Sequence, residues 1–113
     1  MRYKIIIEYD GTPFVGWQRQ DNGLSVQECI ETAIEKMFQE KPVLFGAGRT
    51  DAGVHATGQV AHFDIEHKEL DIYSIKTGLN HHLKTYPISV LDVTGVDAEF
   101  HSRFDAKERK YLY

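Results

Sequence analysis

The stretch that decides the fold is YKIIIEYD, Tyr3–Asp10, at the start of the chain. Large apolar and aromatic side chains recur at every second residue, namely Tyr3, Ile5, Ile7 and Tyr9. Because successive side chains of a strand point to opposite faces, these four would share one buried face of a sheet. The pattern therefore predicts a first strand, and the glycines and proline that follow predict a loop.

An amphipathic helix is predicted after this loop. Ser25-Val-Gln-Glu28 has the sequence of a capping box, in which the serine oxygen accepts a hydrogen bond from the backbone N–H three residues on. Apolar residues then recur at intervals of three and four, which is typical of one buried helical stripe: Val26, Cys29, Ile30, Ala33, Ile34, Met37 and Phe38. We interpret Cys29 as a core residue on this stripe, not as a nucleophile. Pro42 prevents the helix from continuing.

The remaining pattern completes an alternation of strands and helices. Val43–Phe45 is predicted to be a short buried strand and Gln59–Asp64 a third strand. Asp71 is a candidate cap for a second helix whose buried face carries Ile72, Ile75, Leu79 and Leu83. Ile88–Val93 is predicted to be the fourth strand, and Lys110–Tyr113 resembles the start of another. The order β-α-β-β-α-β predicts an α+β, ferredoxin-like fold, an antiparallel sheet with two helices on one face.

Length and composition set broad limits on function. The 113 residues are enough for one domain with one core. The chain lacks an apolar run long enough for a membrane helix, so we expect no membrane association. A single cysteine fits a cytoplasmic setting. The net charge of −4 argues weakly against a nucleic-acid partner, but Arg103–Lys110 holds four cations and two anions and could form a local basic face.

The candidate chemistry lies in GAGRTDAGVHATGQ, Gly46–Gln59, where glycines surround Arg49 and Asp51. The stretch matches neither a dinucleotide-binding fingerprint nor a P-loop, and it contains no serine that could serve a catalytic triad. The six histidines of the chain lack the spacing of a metal site, so no metal is predicted. A loop aspartate is most often a turn former. With an arginine two residues away, however, Asp51 could be an ion-paired, ionised nucleophile, and the glycines would let a flat ligand approach the backbone.

Aromatic side chains suggest the shape of that ligand. Tyr111 and Tyr113 are two residues apart on a predicted strand, so both would face one side. Arg109 and Lys110 adjoin them, and aromatics mixed with cations suit a stacked nucleobase and its phosphates. Two core tyrosines on a half-buried strand would produce the same pattern, and the spacing alone does not separate the two interpretations.

Three blocks of the sequence together resemble the tRNA pseudouridine synthase A family. YDGTPFVGWQRQ with SVQECIE, Tyr9–Gln20 and Ser25–Glu31, is similar to the family's opening strand, loop and first helix. GRTDAGVHATGQVAHF, Gly48–Phe63, resembles its catalytic block and is the most specific of the three. FHSRFDAKERKYLY, Phe100–Tyr113, resembles its next block. The resemblance spans nearly the whole chain but only about the first half of the family's usual length.

The resemblance implies an isomerase that converts uridines in the anticodon arm of tRNA to pseudouridine, as a homodimer without cofactor or metal. By matching position, Asp51 would be the catalytic aspartate and Tyr111 the tyrosine that stacks on the target uracil. Arg49 would pair with the carboxylate or occupy the space left by the extruded base. We expect the chain, residues 1–113, to be the N-terminal catalytic domain, with the C-terminal domain absent and little activity in isolation.

Two other classes of protein share the predicted topology. A non-catalytic RNA-recognition module would need an aromatic-rich third strand, and GQVAHF offers only Phe63. A small-ligand regulatory domain would leave Arg49, Asp51 and the RKYLY segment without a role.

Overall fold

The computed structural model describes residues 1–105 and 111–112, with side chains for residues 1–103. Eight elements follow one another along the chain. They are β1 (Arg2–Tyr9), α1 (Val26–Phe38), β2 (Phe45–Gly46), β3 (His55–Asp64), α2 (Ile72–Leu83), β4 (Ile88–Val96), α3 (Ser102–Asp105) and β5 (Tyr111–Leu112). The first six have the predicted β-α-β-β-α-β order, so the ferredoxin-like α+β fold is confirmed.

The strands form one antiparallel sheet in the order β2-β3-β1-β4. β1 is central, since it pairs with β3 along one side and with β4 along the other. β2 pairs with one end of β3, where Phe45 lies opposite His62. β5 pairs with the other end of β3, where Tyr111 lies opposite Ala56. The register therefore brings the backbone of Tyr111 to the end of β3 that follows the glycine-rich stretch.

The core fills the space between the sheet and its two long helices. All four alternating side chains of β1 are buried, with Tyr3, Ile5 and Ile7 no more than 1% exposed. They face the stripe of α1, of which every predicted member is buried or packs against the core. Tyr3, Phe38 and Phe63 form an aromatic cluster with ring centroids 5.6–6.2 Å apart. The helix period and the strand period predicted these faces correctly.

Both predicted helix caps are present. The Ser25 side chain accepts a hydrogen bond from the backbone N–H of Glu28 at 3.1 Å. Asp71 accepts from the backbone N–H of Ser74 at 2.9 Å, which satisfies a donor that the first helical turn leaves unpaired. The second helix differs from prediction at its start, because Ile72 lies beside the cap and is 40% exposed, outside the buried row of Ile75, Leu79 and Leu83.

The prediction of a buried strand at Val43–Phe45 was wrong. The strand is Phe45–Gly46, and Val43 and Phe45 are 55% and 45% exposed, whereas Leu44 between them is buried. The physical reason is that the two long helices, α1 and α2, cover only one face of the sheet, so alternate residues at this edge point away from the core. Only Leu44 behaves as an interior residue.

Strand lengths were also underestimated. β3 begins at His55 instead of Gln59, because its first residues pair with β1 and β5, which lie far away in the sequence. β4 continues to Val96 along β1, and Leu91 is exposed beside a register shift in that pairing. Of the predicted strand Lys110–Tyr113, Tyr111–Leu112 forms β5, and Lys110 and Tyr113 lie outside the described residues.

Candidate active site

Contacts with the loop after β1 fix the backbone of the loop that carries Asp51. The carbonyl oxygen of Thr50 accepts a hydrogen bond from the backbone N–H of Trp17 at 3.0 Å, and Asp51 forms an isolated β-bridge with Gly16. The Thr50 hydroxyl lies 2.8 Å from the buried hydroxyl of Tyr9. These contacts hold both sides of the Thr50–Asp51 peptide in place, although the loop contains little regular structure.

A tight turn then directs the chain into β3. The backbone N–H of Val54 donates to the carbonyl oxygen of Asp51 at 3.2 Å. Gly53 has a φ of 79°, a conformation that other residues rarely adopt, so the turn depends on glycine at this position. The Asp51 side chain is exposed and makes no hydrogen bond or ion pair with any residue that the structure describes. The result is a solvent-facing carboxylate on a fixed backbone.

Arg49 is also exposed, and it lines a cleft of about 570 Å³ that runs along β2. The chain on either side of it is anchored to β3. The backbone N–H of Ala47 donates to the carbonyl oxygen of Val60 at 2.7 Å, and the buried Gln59 side chain donates to the carbonyl oxygen of Gly48 at 2.6 Å. Arg49 therefore extends from a fixed point into the cleft.

The structure does not join Arg49 to Asp51. Within residues 1–105 no ion pair connects the two side chains, and Asp51 is not among the residues that line the cleft. The bridge to Gly16 and the turn to Val54 set the direction of Asp51 independently of its neighbour in the sequence. Pairing with the carboxylate, one of the two roles considered for Arg49, is therefore not seen among the described residues.

Gly46, the first residue of the glycine-rich stretch, makes room for a side chain of the protein itself. A Cβ atom on Gly46 would lie 2.7 Å from the indole of Trp17, which is itself 3% exposed. The space that a Cβ atom would enter is filled by a buried side chain of this protein, so Trp17 requires glycine at this position. That the glycines beside Asp51 give room to a ligand stays a prediction.

A second cleft, of about 440 Å³, lies at the other end of β3 and is lined by Tyr9, Asp10, His55 and Ala56 among others. The Nδ1 atom of His55 is 2.8 Å from the backbone N–H of Gly11 and 3.1 Å from a carboxylate oxygen of Asp10. A hydrogen-bond network thus borders the place where β5 joins the sheet.

Tyr111 is placed beside this cleft through its backbone alone. Its pairing partner Ala56 lines the cleft. Between Asp51 and Ala56 the chain makes the turn at Gly53 and enters β3. The prediction that the Tyr111 ring stacks on a base concerns a side chain outside the described residues. Its backbone position brings it to the same end of β3 as the Asp51 loop.

Sequence reasoning missed a buried hydrogen-bonded pair, His62 and Ser102. Nδ1 of His62 accepts a hydrogen bond from the backbone N–H of Ser102 at 3.1 Å and lies 2.9 Å from the Ser102 hydroxyl. The same hydroxyl donates to the carbonyl oxygen of Phe45 at 3.0 Å. Burial, with the nearby charges of Arg2 and His101, lowers the pKa of His62 from 6.5 to about 4. The neutral imidazole therefore ties β3 and β2 to α3. A histidine alternating with apolar residues on β3 was the available signal.

Other classes of site were sought in the same residues. Among residues 1–105 and 111–112, no group of three or more His, Cys, Asp or Glu side chains could hold a metal ion. None of the helices in that part of the chain has the length and apolar character needed to cross a membrane.

The fold and the loop place this chain in a known class of protein. A family model described as tRNA pseudouridine synthase matches residues 5–105, so the chain belongs to the tRNA pseudouridine synthase family. The relatives carry the name tRNA pseudouridine synthase A. The chain is 54% identical over 115 residues to that of Anaplasma phagocytophilum (strain HZ), which covers 100% of this chain and 46% of the relative. It is 55% identical over 114 residues to that of Wolbachia pipientis wMel, covering 100% of this chain and 46% of the relative. It is 53% identical over 112 residues to that of Paramagnetospirillum magneticum (strain ATCC 700264 / AMB-1), covering 99% of this chain and 43% of the relative. The chain thus spans about half the length of the curated relatives it matches.

Proposed function

We propose that this chain forms the N-terminal catalytic domain of a tRNA pseudouridine synthase that isomerises uridines in the anticodon arm, with Asp51 as the catalytic carboxylate. The observation that carries the proposal is the exposed Asp51 side chain on a backbone fixed by Trp17, Gly16 and Val54. A nucleophile or base must be reachable by an extruded nucleotide and must not move away from it. Membership of the family supports the same assignment.

The reaction needs few parts. The bond between N1 of the uracil and C1′ of the ribose breaks, a bond between C5 and C1′ forms, the C5 proton is lost, and N1 gains one. The product is an isomer of the substrate, so no cofactor or energy source enters the balance. In the proposal the reacting group of the protein is the exposed Asp51 carboxylate. It could attack C1′, attack C6 or remove a sugar proton, and the proposal covers all three.

The target base must leave its stack, which costs a few kcal/mol. In the proposal, stacking on the ring of Tyr111 returns roughly 1–3 kcal/mol. In the proposal Arg49, an exposed cation that lines the cleft of about 570 Å³, occupies the space that the base vacates. The partners under this proposal are tRNA and a second copy of the full-length protein, in the cytoplasm.

Release of tritium from tRNA that contains 5-tritiated uridine tests the proposal, because C5 loses its hydrogen only when the new C–C bond forms. The full-length protein is expected to release tritium without added metal or cofactor. A non-catalytic RNA-binding module would bind the tRNA and release none, and a small-ligand regulatory domain would do neither. Either of those results would reject the proposal.

A further inference from the structure

The cleft along β2 has a charge that the composition of the chain does not predict. The chain has 17 acidic and 13 basic residues, not counting histidine. The residues described at the cleft nevertheless include Arg49, Arg103 and His101 and no Asp or Glu. Both arginines are exposed, and neither forms an ion pair within the described part of the chain. Two exposed guanidinium groups in one concave site favour an anionic ligand.

Buried polar contacts fix the backbone of Leu44, one of the residues that line the cleft. The carboxylate of Glu31, 4% exposed, accepts from the backbone N–H of Leu44 at 2.9 Å, and Arg19 pairs with the same carboxylate. The side-chain amide of Gln27 donates to the carbonyl oxygen of Leu44 at 3.1 Å. Both polar groups of the Leu44 backbone are therefore satisfied from α1, just before β2 begins. The edge of the cleft is fixed before any ligand arrives.

The opposite wall is attached to β2 through the His62–Ser102 pair. The Ser102 hydroxyl donates to the carbonyl oxygen of Phe45. This hydrogen bond ties Ser102, which directly precedes Arg103, to Phe45 at the rim of the cleft. The Phe45 ring is stacked on His62, with centroids 5.2 Å apart and planes inclined by 19°, and it is tilted against His101 at 5.9 Å. Phe45 is nevertheless 45% exposed. Phe45 is thus an aromatic surface held in one orientation.

From these observations we propose that the β2 cleft, defined by Phe45, Arg49 and Arg103, binds a single-stranded nucleotide that neighbours the target uridine in the RNA. The base of that nucleotide stacks on Phe45, and Arg103 binds its phosphate. Aromatic surfaces beside cations are the usual means of binding unpaired nucleotides without reading their sequence. The cleft volume of about 570 Å³ lies within the roughly 300–1,000 Å³ of ligand sites in general. The inference rests on the proposed function, since it assumes that the partner is RNA.

The test uses the full-length protein and measures tRNA affinity at several salt concentrations, together with the single-turnover rate at saturating protein. Phe45→Ala is expected to weaken binding by about fivefold or more, and Phe45→Tyr is expected to restore it. Arg103→Gln is expected to weaken binding and to lower the slope of log affinity against log salt by about 1, whereas Arg103→Lys keeps the slope. The saturated rate should stay within about twofold in all four, because these side chains bind a neighbouring nucleotide and not the reacting one.

Matched controls are available on α2, on the covered side of the sheet. Tyr73 is an aromatic residue 78% exposed, and Lys76 is an exposed cation. Tyr73→Ala and Lys76→Gln should leave affinity and salt slope unchanged.

The inference is overturned if the Phe45 and Arg103 variants behave like these controls while the wild-type protein still converts uridine. It is also overturned if those variants lower the melting temperature and leave affinity and salt slope intact, because the cleft would then pack protein. Loss of conversion by the wild-type protein would instead count against the proposed function. If Phe45→Ala does not fold, the exposed Arg103 carries the test alone.

Discussion

Acidification to about pH 5 is expected to loosen the attachment of α3 to the sheet through His62. Nδ1 of this imidazole accepts the hydrogen bond from Ser102, and it must lose that bond when it becomes protonated. Arg2 and His101 oppose the positive charge, and Asp64 favours it, but burial is the largest influence. The folded protein therefore resists a proton that the unfolded chain accepts readily.

The size of the effect follows from the two pKa values. The unfolded histidine binds its proton near 6.5 and the folded one near a pKa of about 4. Between these values the unfolded state carries more protons, so the free energy of unfolding falls as the pH falls. Linkage gives a loss of about 2 kcal/mol between about pH 7 and about pH 5 from this group alone. Above about pH 7 the contribution is constant.

Urea denaturation of the chain at a series of pH values measures this loss. His62→Gln should be less stable at neutral pH and should show a profile flatter by about 2 kcal/mol over the same interval. The exposed His81→Gln on α2 is the matched control and should keep the wild-type profile. Carboxylates away from His62, such as Asp71, whose pKa is lowered by its hydrogen bonds with Ser74, contribute to all three proteins alike. Parallel profiles for wild type and His62→Gln would refute the reasoning.

Two further predictions concern the elements that support the site. Gly46→Ala should destabilise the chain by about 1–3 kcal/mol in urea denaturation, because the added methyl group would meet the Trp17 indole at 2.7 Å. Its control is Gly58→Ala, which adds a Cβ atom in open space and should change the stability by no more than about 0.5 kcal/mol. Equal effects of the two substitutions would contradict the predicted clash. Ser25→Ala should cost about 1 kcal/mol by removing the cap of α1, measured by thermal unfolding. The exposed Ser89→Ala serves as its control, and a Ser25 variant as stable as the Ser89 variant would show that the cap contributes nothing.

The sequence predicted the fold where local periodicity determines burial. β1 and α1 each repeat apolar residues at the spacing of their own element, so the faces of Tyr3 to Tyr9 and of Val26 to Phe38 follow from the order of residues alone. The caps at Ser25 and Asp71 are equally local. No distant part of the chain is needed to identify them.

Features that depend on distant partners were not predictable in this way. Phe45 is exposed because α1 and α2 cover only one face of the sheet, and the sequence near Phe45 does not indicate which face that is. Gly46 is required by Trp17, which lies in another loop. Arg49 and Asp51 are close in sequence yet unpaired, because the β-bridge to Gly16 and the turn to Val54 orient Asp51. The sequence alone indicated which residues could form the candidate site, whereas tertiary contacts set the geometry between them.

The central claim is that the Asp51 carboxylate performs the chemistry, and one comparison tests it most directly. Tritium release and tRNA binding are measured for the full-length protein carrying Asp51→Asn, beside Asp21→Asn, which changes another exposed loop carboxylate. Asparagine keeps the shape of the side chain and removes its charge and basicity. We predict that Asp51→Asn binds tRNA with an affinity close to that of the wild type and releases no tritium, while Asp21→Asn does both as the wild type does. Turnover by Asp51→Asn near the wild-type rate would contradict the account.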